Sequence, residues 1–548
     1  MKSEIESGSP KKKGRTRKSK AAGDSTVPVQ LTWTLHELPS SQHRAGLAGL
    51  ALAVAFLERR ADRAGVCRIH SMDDHGLTLE VDRAGMQSLF DDLYAATTEE
   101  TLSKSKWPGA EPKRIDEVEV HDETRGRAKT EKRFVYDRVM PSGLLVREWD
   151  ASPAGGPRVW LKLWQDLVWS TLRGVPATRE PFNARAQSRP STDGAEAWDE
   201  LTEGGEAAVA LPSTYYLGAQ AVSAEGVPFE DRARFRFLLN FWPLVAGIYV
   251  PAILRRDGKR EFAGHAIAIA DVASLEAFVD AWERSARGRG CEVAGYVPRE
   301  AVVDLPQEAG LDQIRRTNDQ LSARLGATAT RPSIAAVDVF HVEKDGNSVR
   351  LRTVARIVPE RLQDDEYARV RGGGYWSPVF RRQRIANVLE RRPWHVGFAR
   401  LCATTPQEMT IKHAPFQHDC RMAFTETEMK QDVPDDDQTL EHLVYKRVQA
   451  YVLGKLDRKY DLSWSKVQGK PGEEKDYRER KEKVAREAFL GVRSRTGADF
   501  IAYFTGTICS VPHFANEQKY LTVARALMDP DQAERVRSLT LLALSAVA

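Results

Sequence analysis

Residues Ser213 to Phe278 read STYYLGAQAVSAEGVPFEDRARFRFLLNFWPLVAGIYVPAILRRDGKREFAGHAIAIADVASLEAF, and their interpretation decides the fold. The middle of this stretch, Phe235 to Leu254, is the densest apolar run in the chain, with bulk from Phe235, Phe237, Phe241, Trp242 and Tyr249. Aromatics of this size dominate core energetics, each burying roughly 150–250 Å². Pro243 and Pro251 divide the run, because proline is poorly tolerated inside a helix or a central strand. The pattern predicts a helix ending near Phe241, a strand around Val245–Val250 and a turn at Arg255–Lys259 carrying the hairpin pair Asp257-Gly258. A return strand follows at His265–Ile269, then a helix from about Ala273 with Asp271 near its N-cap. Nothing in this core-building unit is a catalytic signature.

Working outward toward the N-terminus, Gln30–Leu35 alternates like a strand. Ala45–Leu57 is an apolar run of 13 residues. A membrane span needs roughly 20, so it reads as a buried helix. Strands are expected at Val66–His70 and Leu77–Val81, a helix at Arg83–Ala95, a charged connector or irregular arm over Lys104–Arg133 and a strand at Leu144–Trp149. Trp160, Trp164, Leu167 and Thr171 recur at helical spacing, the pattern of a core stripe. Ala184–Gly205 reads as loop. Toward the C-terminus, Gln307–Leu325 is polar and partly helical, and Ile334–His341 with Asn347–Val358 forms a hairpin around Asp345-Gly346. Arg350, Arg352 and Arg356 share one face of its second strand, which is either solvated or phosphate-contacting. The acidic DVPDDD at Asp432–Asp437 marks a boundary. Beyond it Leu440, Leu443, Val444, Val448, Tyr451 and Val452 repeat at three and four, and Asp529-Pro530 opens a last helix. The fold class is α+β: a mixed body with antiparallel hairpins over 28–430, with a possible break near 175–210, then a helical bundle over 431–548.

At 548 residues the chain exceeds one ordinary core. With 81 basic and 77 acidic residues the net charge is +4, so any nucleic-acid surface must be local. Five scattered cysteines, with no CxxC pair, point to reduced thiols and a cytoplasmic location. Residues 1–27 form a basic tail, with KKKGRTRKSK at Lys11–Lys20 and no apolar face to fold on.

The window 367–400 concentrates arginine against a single acid, Glu390. It holds Arg369, Arg371, Arg381, Arg382, Arg384, Arg391, Arg392 and Arg400, together with Gly372, Gly373, Gly374, Tyr375, Trp376 and Trp394. Arginine matches phosphate bidentately, aromatics stack on bases, and glycines let the backbone approach a partner. The competing interpretation is a loop and a helix with a solvated basic face.

Enzymatic signatures are missing: no GxxxxGK[ST], no GxGxxG after a strand, no HExxH and no GxSxG. The cluster His413, His418 and Cys420 fits no zinc spacing. No catalytic residue, metal or cofactor is expected.

YLGAQAVSAEGVPFEDRARFRFLLNFWPL, the DG hairpin with HAIAIADV, HRAGLAGL at His43–Leu50 and PWHVGF at Pro393–Phe398 resemble the large subunit of type I CRISPR effector complexes (Cascade). The likeness is greatest to the MYXAN subtype, which includes fruiting-body developmental protein T. It implies a non-catalytic subunit that contacts CRISPR guide RNA and target DNA and reads a target-adjacent motif. It also implies other Cascade subunits and a helicase–nuclease as partners, and no membrane. The alternative it allows is a developmental regulator of fruiting-body formation and sporulation that binds no guide. Related systems make a small subunit from an internal start, and Met429 stands just before the acidic break. A fragment 430–548 would then be helical and soluble.

Overall fold

The computed structural model describes residues 27–548 apart from 108, 123–126, 154–155, 173–178, 212–215, 219–228, 256–258, 326–332, 346–347, 430–438 and 512–516. The basic tail to residue 26, the Asp257-Gly258 turn, Gly346 and the acidic break at Asp432–Asp437 therefore lie outside the described residues.

The chain opens with β1 (Val29–Thr34), α1 (Ser41–Glu58), β2 (Cys67–Met72), β3 (Gly76–Val81) and α2 (Arg83–Leu93). β3 lies between β1 and β2 in an antiparallel sheet. β4 (Ala96–Ser103), β5 (Arg114–Asp122) and β6 (Arg127–Pro141) form a second antiparallel sheet with β6 in the middle. The arm expected over Lys104–Arg133 is thus a regular ribbon. Ion pairs Arg114–Glu100 (2.7 Å) and Lys113–Asp137 (3.2 Å) cross its strands, and Trp107 stacks on Tyr136 at 4.3 Å. Charges fill positions that ordinarily alternate with apolar ones, which hides the strand period.

Leu144–Trp149 is a helix, α3, entered through left-handed Gly143 (φ 54°), with Leu145, Val146 and Trp149 buried on one helical face. Ala184–Gly205 holds α5 (Glu180–Ala186) and α6 (Thr192–Gly204), separated from the ribbon by α4 (Val159–Asp166) and a π-helical continuation to Leu172. In α6 Gly194, Ala197, Trp198 and Leu201 are buried, so the apolar stripe exists but is narrow and set among glycines and acids.

β7 (Ala208–Ala210), β8 (Glu230–Arg232) and α7 (Ala233–Leu238) lead into the principal sheet, made from β9 (Gly247–Leu254), β10 (Arg260–Phe262) and β11 (His265–Val272). β9 runs through Pro251 to Leu254. The Pro251 carbonyl still accepts the Ala263 N–H (2.9 Å), so only one ladder donor is lost. Both β10 and β11 pair antiparallel with β9, and the register steps by one residue between Phe262↔Ala252 and Ala266↔Tyr249. α8 (Leu275–Arg287), the two-residue pairs β12 (Val293–Ala294) and β13 (Val297–Pro298), β14 (Val302–Val303) and α9 (Glu308–Leu325) follow. β15 (Ile334–Asp345) then pairs with β11, and β16 (Ser348–Ile357) with β15, both antiparallel.

The N-cap of α8 is Ser274. Asp271, expected near it, lies inside β11, where Arg44 donates to it at 2.7 Å and Arg356 closes from β16. Arg350 and Arg352 likewise face Asp345 (2.9 Å) and Glu343 (2.6 Å), so the arginine row of β16 is matched by carboxylates. The HRAGLAGL segment is structural too. A Cβ on Gly46 or Gly49 would stand 2.3 or 2.2 Å from the carbonyl oxygens of Leu238 and Phe241, so only glycine lets α1 seat against the 238–241 backbone. His43, 2% exposed, bridges Ser40 Oγ and Asp231 Oδ2, each at 2.7 Å.

Among the described residues ten α-helices follow: α10 (Arg361–Gly372), α11 (Pro378–Leu389), α12 (Phe398–Thr404), α13 (Ala414–Met429), α14 (Leu440–Tyr460), α15 (Trp464–Val467), α16 (Pro471–Arg493), α17 (Gly497–Gly506), α18 (Glu517–Met528) and α19 (Pro530–Val547). Asp529 caps α19 by accepting the Asp531 N–H (3.0 Å), as Asp-Pro predicts. α19 is the axis of this part, buried continuously from Val536 to Val547. Its core includes Tyr375, Phe380, Phe398, Phe416 and Phe424 as well as residues after 440. The α+β class holds: small antiparallel sheets in the first part and helices in the last.

Candidate nucleic-acid interface

The arginine window divides into an interior and an exterior set. α9, which the sequence presents as polar, is where the interior set ends. Glu308 and Asp312 are both fully buried, and Asp304 is 5% exposed. Arg371 donates to Glu308 (3.0 Å) and to the backbone carbonyls of Val302 and Glu300 (each 3.0 Å). Arg381 and Arg260 both close on Asp304. Asp312 takes Arg316 (2.6 Å), Arg315 (2.9 Å) and the Tyr249 hydroxyl (3.1 Å). Burial alone would raise the Asp312 carboxyl, but Arg316, Arg371 and Arg315 hold it well below the usual range. Burial leads for Glu308 as well, and there it wins: the carboxyl is raised despite Arg371.

Arg384 is interior too, 4% exposed, with Glu366 at 3.5 Å and its guanidinium 5.9 Å and 5.7 Å from the Tyr375 and Trp394 ring centroids. Tyr375 is 5% exposed and stacks on Phe380 at 5.5 Å. Of the expected site residues, then, Arg371, Arg381, Arg384 and Tyr375 have other partners than a nucleic acid. Spacing could not reveal this for Arg371 and Arg381, because the carboxylates that claim them lie 63 and 77 residues upstream.

The exterior set comprises Arg369, Arg382, Arg391, Arg392, Arg400 and Trp376. Arg391, left-handed at φ 55°, pairs with Glu360 (2.7 Å), and Arg392 with Glu390 (2.8 Å). Arg369, Arg382 and Arg400 have no carboxylate partner among the described residues. Arg382, Arg392 and Arg400 line a groove of about 660 Å³ between α11, α12 and the end of β9, where Arg255 joins them and Glu390 is the one acid. Gly372 and Gly374 stand clear on the surface. Gly373 does not: a Cβ there would meet the Arg369 carbonyl oxygen at 2.2 Å, so this glycine closes α10.

The groove is shaped by the PWHVGF segment. Asn387 Nδ2 donates to the carbonyls of Trp394 and Val396 (each 2.9 Å), folding the segment under α11 and aiming Arg400 outward from α12. His395, 4% exposed, lies 3.7 Å from Glu441. Burial pushes its imidazole down to about 4, against the pull of Glu441 and with Arg535 and Arg384 adding to the fall. The unfolded chain therefore takes up this proton near pH 6.5 while the folded one does not until about 4. Stability is intact above pH 6.5 and falls progressively between 6.5 and 4, by on the order of 3 kcal/mol at this site. Melting temperatures measured across that range should fall, and His395→Asn should flatten the fall.

His413, His418 and Cys420 do not converge. Cys420 is buried in the helical core, which raises its thiol well above the usual value, while His418 turns to Trp376 and Asp419. Among the described residues no group of three or more His, Cys, Asp or Glu side chains is arranged to hold a metal, and no helix is long and apolar enough to cross a membrane.

Residues 66–327 match the Type I-B CRISPR Cas8b N-terminal domain, and residues 334–547 match the Type I-B CRISPR Cas8b C-terminal domain. No curated protein matches the chain, and neither the MYXAN subtype nor the developmental reading gains support. Matched in order by both domains, from residue 66 almost to its last, the chain belongs to the Cas8b family, the large subunit of Cascade in type I-B CRISPR systems.

Proposed function

We propose that this large subunit holds the phosphate backbones of CRISPR guide RNA and target DNA in the groove between α11 and α12. The observation that carries the reading is Arg382 and Arg400, exposed and without carboxylate partners, on a groove where cations outnumber acids. Arg392 lines the same groove. In this reading the subunit has no active site of its own. It works in the cytoplasm with the other Cascade subunits, reads the target-adjacent motif, and offers a docking face to a helicase–nuclease. The MYXAN assignment stays with the motifs in YLGAQAVSAEGVPFEDRARFRFLLNFWPL and PWHVGF.

Because Arg381 and Arg384 support the fold, the test must spare them. Arg382→Glu with Arg400→Glu in the assembled complex should weaken target binding alike for all sequences. Each lost phosphate contact should flatten the slope of log K against log salt by about 0.9 on duplex DNA. An unchanged slope in a variant with an unchanged melting temperature would refute the groove.

A further inference from the structure

One exposed aromatic surface lies outside the groove. Trp376 is 64% exposed, yet its ring is held parallel to the His418 imidazole, with centroids 3.7 Å apart and planes 2° from parallel. A single buried carboxylate holds the Trp376 backbone and the His418 ring. Asp419, fully buried, accepts the backbone N–H groups of Trp376 (2.9 Å) and Ser377 (2.7 Å), and its Oδ1 lies 3.1 Å from His418 Nδ1. With one face on His418, the indole turns its other face to solvent. That face hides no core, and an unrestrained exposed tryptophan would gain rotamer freedom. A broad flat face left open to solvent, backed by a second ring, suits a ligand that stacks.

Charge and space around it agree on the kind of ligand. Arg369, exposed and without a carboxylate partner among the described residues, sits in the last turn of α10, seven residues before Trp376. The turn between them is open: a side chain on Gly372 or Gly374 would meet nothing within 4 Å. A planar, electron-rich ring attached to an anionic chain suits this surface, and a neutral apolar peptide does not.

We propose that the Trp376–His418 pair is a stacking platform for one base of a single-stranded nucleic acid. The proposal rests on the nucleic-acid reading above and deepens it from phosphate contact to base contact. In a duplex the base faces are already occupied by neighbours, so the platform selects an unpaired, unstacked nucleotide. Every base has a π-face, so the contact tolerates any sequence.

The test uses the full chain and two single-stranded DNA oligomers, one intact and one with abasic sites, in anisotropy titrations at several salt concentrations. Wild type should prefer the intact oligomer. Trp376→Ala should weaken intact binding by about 5- to 100-fold, leave abasic binding unchanged and keep the salt slope. Trp376→Tyr should retain most of the affinity, and melting temperatures should not move. Equal binding of the intact oligomer by Trp376→Ala and wild type, or an equal loss on both oligomers, overturns the proposal. Loss of co-purifying protein subunits with oligomer binding intact overturns it as well, and assigns the indole to a protein contact. If Trp376→Ala is silent while Arg382→Glu with Arg400→Glu flattens the slope, the platform falls and the groove stands. If wild type binds neither oligomer, both fall.

Discussion

Asp312→Ala is expected to cost about 3 kcal/mol, because it removes a fully buried anion shared by Arg315 and Arg316, which keep only their outer partners Asp319 and Glu300. Arg315 and Arg316 both donate to this fully buried carboxylate, and Tyr249 adds a hydroxyl. A loss of that size is a large fraction of the roughly 5–15 kcal/mol that keeps a domain folded. The same logic separates two carboxylates one turn apart on α9. Asp312 is held ionised by its arginines, so Asp312→Asn should be nearly as damaging as alanine. Burial raises Glu308 where the arginines lower Asp312, so Glu308→Gln should cost less than Asp312→Asn. Urea titrations of the three variants at neutral pH decide it, and equal losses for Asp312→Asn and Glu308→Gln would contradict the assignment. Arg381→Glu belongs with Asp312→Ala, since it would face Asp304 with a second anion, whereas Arg382→Glu should leave the urea midpoint in place.

A fragment covering 430–548 is expected to fail to fold cooperatively, in contrast to what its amphipathic periodicity suggests. α19 buries its length partly against α12 and α13, and Phe380, Phe398, Phe416 and Phe424 are each 3% exposed or less. Removing one buried phenylalanine side chain costs about 3–5 kcal/mol, so losing four exceeds what a bundle of this size can hold. We propose instead that the helical unit begins near the Gly372–Gly374 turn. A fragment 374–548 keeps all of that core and should melt cooperatively, while 430–548 should bind a hydrophobic dye and lack a sharp transition. A cooperative melt for the shorter piece would restore the boundary at the acidic break and make an internal start at Met429 plausible.

The sequence was most legible where apolar period and cap chemistry agree. β11, α14 and the Asp529-capped α19 all follow from pattern, whereas β9 continues past the Pro251 expected to end it. It was least legible where polar residues do interior work. α9 carries Glu308, Asp312, Gln313 and Thr317 inside the protein; Arg315 and Arg316 pair with Asp312 along the same helix, but Tyr367 and Arg371 reach Glu308 from α10 and Tyr249 reaches Asp312 from β9, so local spacing does not mark the burial. The arginine window failed to separate for the same reason. Arg381 and Arg382 are neighbours in sequence, yet a helix points them about 100° apart, one to Asp304 and one to the groove. The ribbon over β5 and β6 was missed because both its faces are charged, and α6 because its stripe is narrow.

The pairing of β15 and β16 with β11 has a bearing on synthesis. α1 is apolar on nearly every side and is complete at residue 58, but the strands that finish the sheet against which it lies, and Arg356 that shares Asp271 with its Arg44, end at residue 357. Translation at about 5–20 residues per second leaves that helix waiting on the order of 15–60 s after it emerges. During this interval its alanine- and leucine-rich surface is only partly covered, first by β2 and α2 and later by the 233–244 segment. Emerging chains should therefore depend on a ribosome-associated holdase, and slowing translation between residues 58 and 357 should lower the soluble yield although every folded contact is unchanged.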